Sequence, residues 1–192
     1  MADPTFDQLR TRLTRLRSAG TAFDGVVYRS STPKYATETD MLTGEGTRRS
    51  GGRWNPKGIA LVYTSLTPET AMSETLAHNR YNALPIEDAM PRVFVAIAVK
   101  LKTVLDLRDG SIRRRLQVSA SHLLTVDWRT EAYLGREPIT QRLGRAAHAT
   151  GWEGLIVPSA VDRDSHNLLI FPDHLSADSE TTLLNADRMA SS

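Results

Sequence analysis

Leu9, Leu13 and Leu16 recur at helical spacing and predict a helix over Thr5–Ser18, ended by Gly20. Val26-Val27-Tyr28-Arg29 is a short β-branched run and predicts a strand. From Ser30 to Gly52 the chain is Thr- and Gly-rich with no period, so a long loop is expected, of the kind that often carries function. Ile59–Thr64 predicts a second strand. After it, Thr67 is placed to cap a helix, Pro68 suits its first turn and Glu69 its positive end, and the helix should run to about Tyr81. Arg92–Leu101 and Thr103–Leu107 predict two strands split by a turn at Lys102. Helices follow over Ser111–Val118 and Pro138–Ala149, the second closed by Gly151, with strands at Leu155–Val157 and Leu168–Phe171. Beyond Leu175 the abundance of Ser, Thr and Asp predicts a loose tail.

Strands with irregular connections and helices of unequal length point to an α+β domain, not a regular βαβ repeat. The 192 residues suit one such domain with its own core. The expected organisation is an N-terminal helix over 1–20, the main domain over 21–175 and the tail over 176–192.

Composition narrows the chemistry. The chain has no Cys, which excludes disulfides, Cys zinc sites and thiolate nucleophiles. The N-terminus lacks a basic start and apolar stretch, and no apolar run approaches the roughly 20 residues of a membrane span. A cytoplasmic protein without membrane contact is therefore expected. The pI of about 9.1 suggests nucleic acid, but the formal net charge is only +2. The basic clusters at Arg10–Arg17, Arg48–Arg53 and Arg113–Arg115 carry no interleaved aromatic platform. Arginine-rich clusters suit anionic small ligands or an acidic partner as well as DNA.

Walker, dinucleotide-binding, zinc-protease and serine-hydrolase motifs are all missing. The five histidines, at 78, 122, 148, 166 and 174, share no metal-ligand spacing. His78 shares a helix face with Glu74, but one His and one Glu rarely make a metal site alone, and neither a metal nor a cofactor is expected. The most unusual stretch is Ser50-Gly51-Gly52-Arg53-Trp54-Asn55-Pro56-Lys57-Gly58. Its glycines permit a sharp turn and close ligand approach, and Arg53 can present a planar fork to a phosphate. Read plainly, the same stretch is a Gly-Pro turn before a strand.

Tyr28-Arg29, Gly51-Gly52-Arg53-Trp54-Asn55, Tyr63-Thr64-Ser65 and Ala71-Met72-Ser73-Glu74, then Pro158-Ser159, Asn167 and Phe171-Pro172, form an ordered series. The series resembles the blocks of the RES family, named for its Arg, Glu and Ser, and it spans Val27 to Leu175. The resemblance implies a fold similar to ADP-ribosyltransferases, with mixed or antiparallel sheets flanked by helices. It implies the toxin of a bacterial toxin–antitoxin pair that consumes NAD by hydrolysis or phosphorolysis, or transfers ADP-ribose to a protein. It also implies an Xre-like helix-turn-helix antitoxin whose C-terminal part blocks the active site, so that DNA is met only through that partner.

Cleaving NAD at its glycosidic carbon passes through an oxocarbenium-like transition state and needs neither metal nor thiol. NAD is then the substrate, with inorganic phosphate a further co-substrate if the reaction is phosphorolysis. Carried onto this chain, the family pattern makes Arg29 and Arg53 contacts for pyrophosphate or ribose, with Arg48 and Arg49 crowding the same loop as Arg53. Tyr63 would stack on nicotinamide, Glu74 would stabilise the developing cation, and Ser159 would orient the ribose or amide. Asn167 and Arg49 join Arg53 and Ser159 as candidate substrate-binding residues, and Arg29, Glu74 and Tyr63 are the candidate catalytic ones.

Each has a plainer reading. Arg29 can be a solvent-facing strand residue, Tyr63 an edge-packing residue, and Ser159 the end of a strand. Glu74 lies opposite Met72 and Leu76 on its helix, so periodicity places it in solvent unless a cleft covers that side. A basic, non-catalytic nucleic-acid-binding module is the alternative from a different class.

Overall fold

The computed structural model describes residues 3–81, 90–161 and 164–184, with backbone alone over 78–81. Helix α1 (Phe6–Arg15) begins in a capping box, Thr5 with Gln8, which satisfies two of the N–H groups a helix start leaves unpaired. It buries Leu9 and Leu13, and a 3₁₀ turn (Arg17–Ala19) carries the chain to Gly20. Six strands follow: β1 (Thr21–Ser31), β2 (Val62–Ser65), β3 (Val93–Asp106), β4 (Gly154–Pro158), β5 (His166–Ile170) and β6 (Glu180–Leu183).

The sheet order is β1-β2-β5-β4-β3-β6, and β1 also pairs with β3, so five strands close into a ring with β6 added at β3. All pairings are antiparallel except the parallel β3–β4. The enclosed face carries Val27, Val62, Ile97, Leu101, Ile156, Leu168 and Ile170 as one core. Alternation along each strand sends Tyr63, Leu155, Val157, Leu169 and Phe171 to the outer face. There they pack with α1, α5 (Gly110–Leu116), α6 (Ala120–Thr125) and α8 (Ile139–Ala149) into a second core around Trp54 and Trp152. This is the expected α+β domain, and α1 is part of its outer core. Among the described residues no helix is long and apolar enough to cross a membrane.

Three expectations are corrected, and two helices lie where the sequence pattern predicts none. The Ser30–Gly52 segment is not one long loop. It holds the end of β1, a 3₁₀ turn (Pro33–Tyr35), α2 (Glu38–Leu42) and α3 (Glu45–Ser50). These helices are too short to show a period, and single anchors fix them. Met41 is buried, and Thr47 Oγ1 donates to the Leu61 carbonyl at 2.7 Å while accepting the Leu61 N–H at 3.0 Å.

No turn ends β3 at Lys102: the strand runs on through a register shift against β1 between Leu101 and Val104, where the Glu153 carboxylate accepts the Lys102 and Thr103 N–H groups at 2.5 and 3.1 Å. The segment beyond Leu175 is not loose throughout, since β6 pairs with β3 from Ile97↔Leu183 to Lys100↔Glu180; residues 185–192 lie outside the described residues. Finally, α6 and α7 (Trp128–Tyr133), capped by Ser119 and Asp127, went unpredicted. They are six residues each, shorter than two helical turns.

Candidate active site

Helix α4 (Pro68–Tyr81) starts as the sequence predicts, with Thr67 Oγ1 accepting the Thr70 N–H at 3.2 Å. The side it buries is made of Thr70, Ala71 and Thr75, not of Met72 and Leu76, which are only half-buried. Small side chains let the helix lie close against the sheet, where Thr75 Oγ1 and Ser30 Oγ of β1 are 2.5 Å apart. Hydrophobic periodicity therefore misjudges the helix, and the expectation that it puts Glu74 in solvent is corrected. Glu74, one residue from Thr75, is half-buried and held by two hydrogen bonds, both to Oε1. Ser159 Oγ, at the end of β4, donates at 2.7 Å, and Asn167 Nδ2, on β5, donates at 2.8 Å.

The sheet aligns these donors. Val157 pairs with Asn167 across β4–β5, and Asn167 pairs with Ser65 across β5–β2, so the side chains of Asn167 and Ser65 share the outer face. Ser65 Oγ donates to Asn167 Oδ1 at 2.9 Å, and Ser159 Oγ accepts the Val161 N–H at 3.1 Å. Sequence reasoning missed Ser65, although it sits two residues after Tyr63 and alternation alone puts both on one face. Ser65 pairs in turn with Tyr28, which brings Tyr28 to this face and turns Arg29 to the other.

The glycine turn is a scaffold as much as a ligand loop. The Tyr63 hydroxyl accepts the Trp54 N–H at 2.7 Å and donates to Asn55 Oδ1 at 2.9 Å. Any side chain at Gly52 would meet that hydroxyl, its Cβ falling 2.6 Å away, so the glycine is required by the tyrosine. Asn55, fully buried, also donates to the Thr47 and Ile59 carbonyls at 3.1 and 2.8 Å. Helix α8 holds the turn from behind: Gln141 Nε2 donates to the Gly52 carbonyl at 2.8 Å, and the Trp54 carbonyl packs directly on Gly144. Burial pushes the Tyr63 phenol well above its ordinary range, so it stays neutral and serves as a hydrogen-bonding pivot.

The arginines separate. Arg53 Nη2 donates to the Leu123 and Leu124 carbonyls at 2.7 and 2.8 Å and Nη1 to Val126 at 3.3 Å, closing the end of α6. Burial lowers the Arg53 pKa, while Glu74 and Tyr63 act in the opposite direction and Arg129 adds to the lowering. Its charge therefore lies in the field of Glu74. Arg29 donates to the Met41 carbonyl, and its pKa is lowered by burial against the pull of Asp40. Arg49 is exposed and pairs with Glu45 at 2.9 Å, and Arg48 pairs with Glu45 and Asp173 at 3.4 and 3.3 Å. The structure thus joins Glu74, Ser159 and Asn167, sets Tyr63 on the same sheet face two residues from Ser65, leaves Arg53 in the field of Glu74, and engages Arg29 and Arg49 in other contacts. The His78 side chain lies outside the described residues.

Comparison with known proteins adds the following. The family model of the RES domain matches residues 26–189. The chain is 31% identical over 150 residues to the Prs ADP-ribosylating toxin of Sphingobium sp. (strain YBL2), covering 78% of this chain and 84% of that protein. It is 26% identical over 151 residues to Toxin Res of Yersinia enterocolitica, covering 79% and 86%. A chain of the crystal structure of the M. tuberculosis MbcT–MbcA toxin–antitoxin complex superposes with a TM-score of 0.68 at 21% identity, over 96% of both chains. That superposition shows a shared fold.

Proposed function

The chain belongs to the RES-domain family, and on that premise we propose that it is the toxin of a toxin–antitoxin pair and an enzyme that cleaves NAD between nicotinamide and ribose. The observation that carries this reading is the Glu74 carboxylate, anchored through Oε1 by Ser159 and Asn167 beside the Arg53 turn.

The chemistry follows from that arrangement. The bond from the nicotinamide nitrogen to ribose C1′ breaks with its electron pair leaving on nitrogen, so nicotinamide departs neutral and C1′ becomes oxocarbenium-like. A carboxylate whose position is fixed before the reaction stabilises that charge without reorganising. Oε2 is the oxygen turned to the ribose, the two protein donors having taken Oε1. Arg53 supplies positive potential for the pyrophosphate, and Tyr63 holds the turn that carries Arg53. An acceptor oxygen then adds to C1′, from water, which loses a proton, or from inorganic phosphate. No metal or cofactor enters these steps.

Transfer of ADP-ribose to a protein is the second reading, favoured by the name of the Sphingobium relative. It changes only the acceptor. The partner in either case is an antitoxin that occludes the Glu74 face, of the Xre-like helix-turn-helix class that the family pattern implies.

Release of nicotinamide from NAD by the antitoxin-free protein tests the proposal, with Glu74→Gln as the control. Rapid release without any protein target supports cleavage, and phosphate dependence selects phosphorolysis. No release by folded protein, with or without phosphate, overturns cleavage onto a small acceptor; labelled ADP-ribose passing from NAD to an added protein then selects transfer, and its absence too overturns NAD cleavage.

A further inference from the structure

We propose that Ser65 is a positioning residue that acts on Glu74 through Asn167, an inference that rests on the reading of Glu74 as the charge-stabilising carboxylate. An asparagine amide has an oxygen and a nitrogen of nearly the same shape, so its direction is set by its partners. Here the two ends face opposite demands. The Glu74 carboxylate only accepts, so it requires Nδ2, which lies 2.8 Å from Oε1. Oδ1 then needs a donor at the other end, and the Ser65 hydroxyl supplies it at 2.9 Å.

The chain Ser65 → Asn167 → Glu74 is thus directional. Each hydrogen bond leaves the next group only the role it plays, and consecutive polarised bonds of this kind strengthen one another. Ser65 is itself buried, and its register partners on β1 and β5 are Tyr28 and Asn167, so the hydroxyl is delivered by three strands at once. Ser159 donates to the same Oε1 at 2.7 Å. Without the Ser65 donor, Asn167 keeps its amide but loses the contact that fixes its torsion. Glu74 would then be held by Ser159 alone. Ser65 reaches no reacting atom, so its effect must pass through Glu74.

The test combines two readouts. In wild type and Ser65→Ala, the side-chain amide of Asn167 is followed by NMR without NAD; the lock predicts a sharp, exchange-protected amide pair that broadens or loses protection in the variant. NAD cleavage is then measured for wild type, Ser65→Ala, Glu74→Gln and the double variant. Ser65→Ala should lower kcat on the order of tenfold, the scale of losing the Asn167 hydrogen bond to the Glu74 carboxylate, with KM nearly unchanged. In the Glu74→Gln background the same substitution should cost little further, because the group it acts through is gone.

An unchanged amide pair overturns the lock. So does unchanged turnover in Ser65→Ala, or an equal further loss in the double variant, which would mark a merely structural serine. If wild type cleaves no NAD, the proposed function fails, and the amide measurement still decides whether Ser65 holds Asn167.

Discussion

Ser159 donates its hydroxyl to Glu74 Oε1 at 2.7 Å across 85 residues of sequence, joining the end of β4 to the middle of α4. The hydroxyl proton points to the carboxylate, while the oxygen accepts the Val161 N–H at 3.1 Å. Under the proposed function, Ser159 is a carboxylate anchor, and nucleophilic chemistry at its hydroxyl is not required.

Ser159→Ala should therefore slow NAD cleavage by about tenfold, the weight of one hydrogen bond to a charged group. Stability should fall by about 1–3 kcal/mol, because Ser159 is fully buried and its removal takes a donor from the half-buried Glu74 carboxylate. Steady-state nicotinamide release and urea denaturation of the same preparation check both halves. A complete loss of turnover would instead point to chemistry at the hydroxyl.

Gly144→Ala tests the scaffold behind the site. A Cβ at position 144 would fall 1.7 Å from the Trp54 carbonyl oxygen, a backbone atom that cannot swing aside. Either α8 or the Gly51–Asn55 turn must move. A loss of about 3 kcal/mol or more is expected, at the upper end of overpacking costs, read as a lower denaturation midpoint. Ala substitution at Gly46, where a Cβ meets nothing within 4 Å, is the matched control and should be near neutral.

What the sequence displayed and what it hid have the same physical source. The β-strands around Val27, Val62 and Ile156 were legible because a buried run of branched residues looks the same whatever packs on it. The start of α4 was legible because Thr67 and Pro68 cap it locally. Glu74's surroundings were not, because they depend on Thr70, Ala71 and Thr75, whose small size matters only once the sheet lies beneath them. Arg29 and Arg53 looked alike as arginines in family blocks; only the register of Tyr28 with Ser65 turns Arg29 to the opposite face. Ser65 and Gln141 carry polar contacts whose partners are 102 and 89 residues away, beyond any local pattern.

Acid should weaken the fold in two stages. Burial and the adjacent His174 hold the His148 pKa below its ordinary value, against the opposing pull of Asp173. Its folded pKa is thus below the unfolded one, so its stabilisation is present above about pH 6.5 and fades as pH falls. For Glu153, burial raises the pKa, but N–H donors from Thr103, Lys102 and Ser176 outweigh it and the net shift is downward. Its contribution is complete above about pH 4.3 and is lost on further acidification. Denaturation midpoints against pH should flatten in the upper window for His148→Gln and in the lower window for Glu153→Gln. Glu153→Gln should also loosen β6, because Glu153 accepts the Ser176 N–H and the Ser179 hydroxyl, both at 3.0 Å.

Arg53 combines a fork and a charge, and two substitutions separate them. The fork reaches three carbonyls at the end of α6 through Nη1 and Nη2, a geometry that a lysine ammonium cannot reproduce from one point. The charge is felt by Glu74 whichever residue carries it. Arg53→Ala removes both and should cost about 2 kcal/mol of stability, because several buried carbonyls lose charged donors. Arg53→Lys should recover less than half of that. Affinity for NAD should divide differently. If pyrophosphate is drawn by positive potential at this turn, Arg53→Lys keeps KM for NAD within a few-fold while Arg53→Ala raises it on the order of tenfold. Nicotinamide riboside, which has no pyrophosphate, should show no such difference between the two variants. Equal KM for NAD in Ala and Lys variants would leave Arg53 as the closure of α6 and move the anion contact to another arginine.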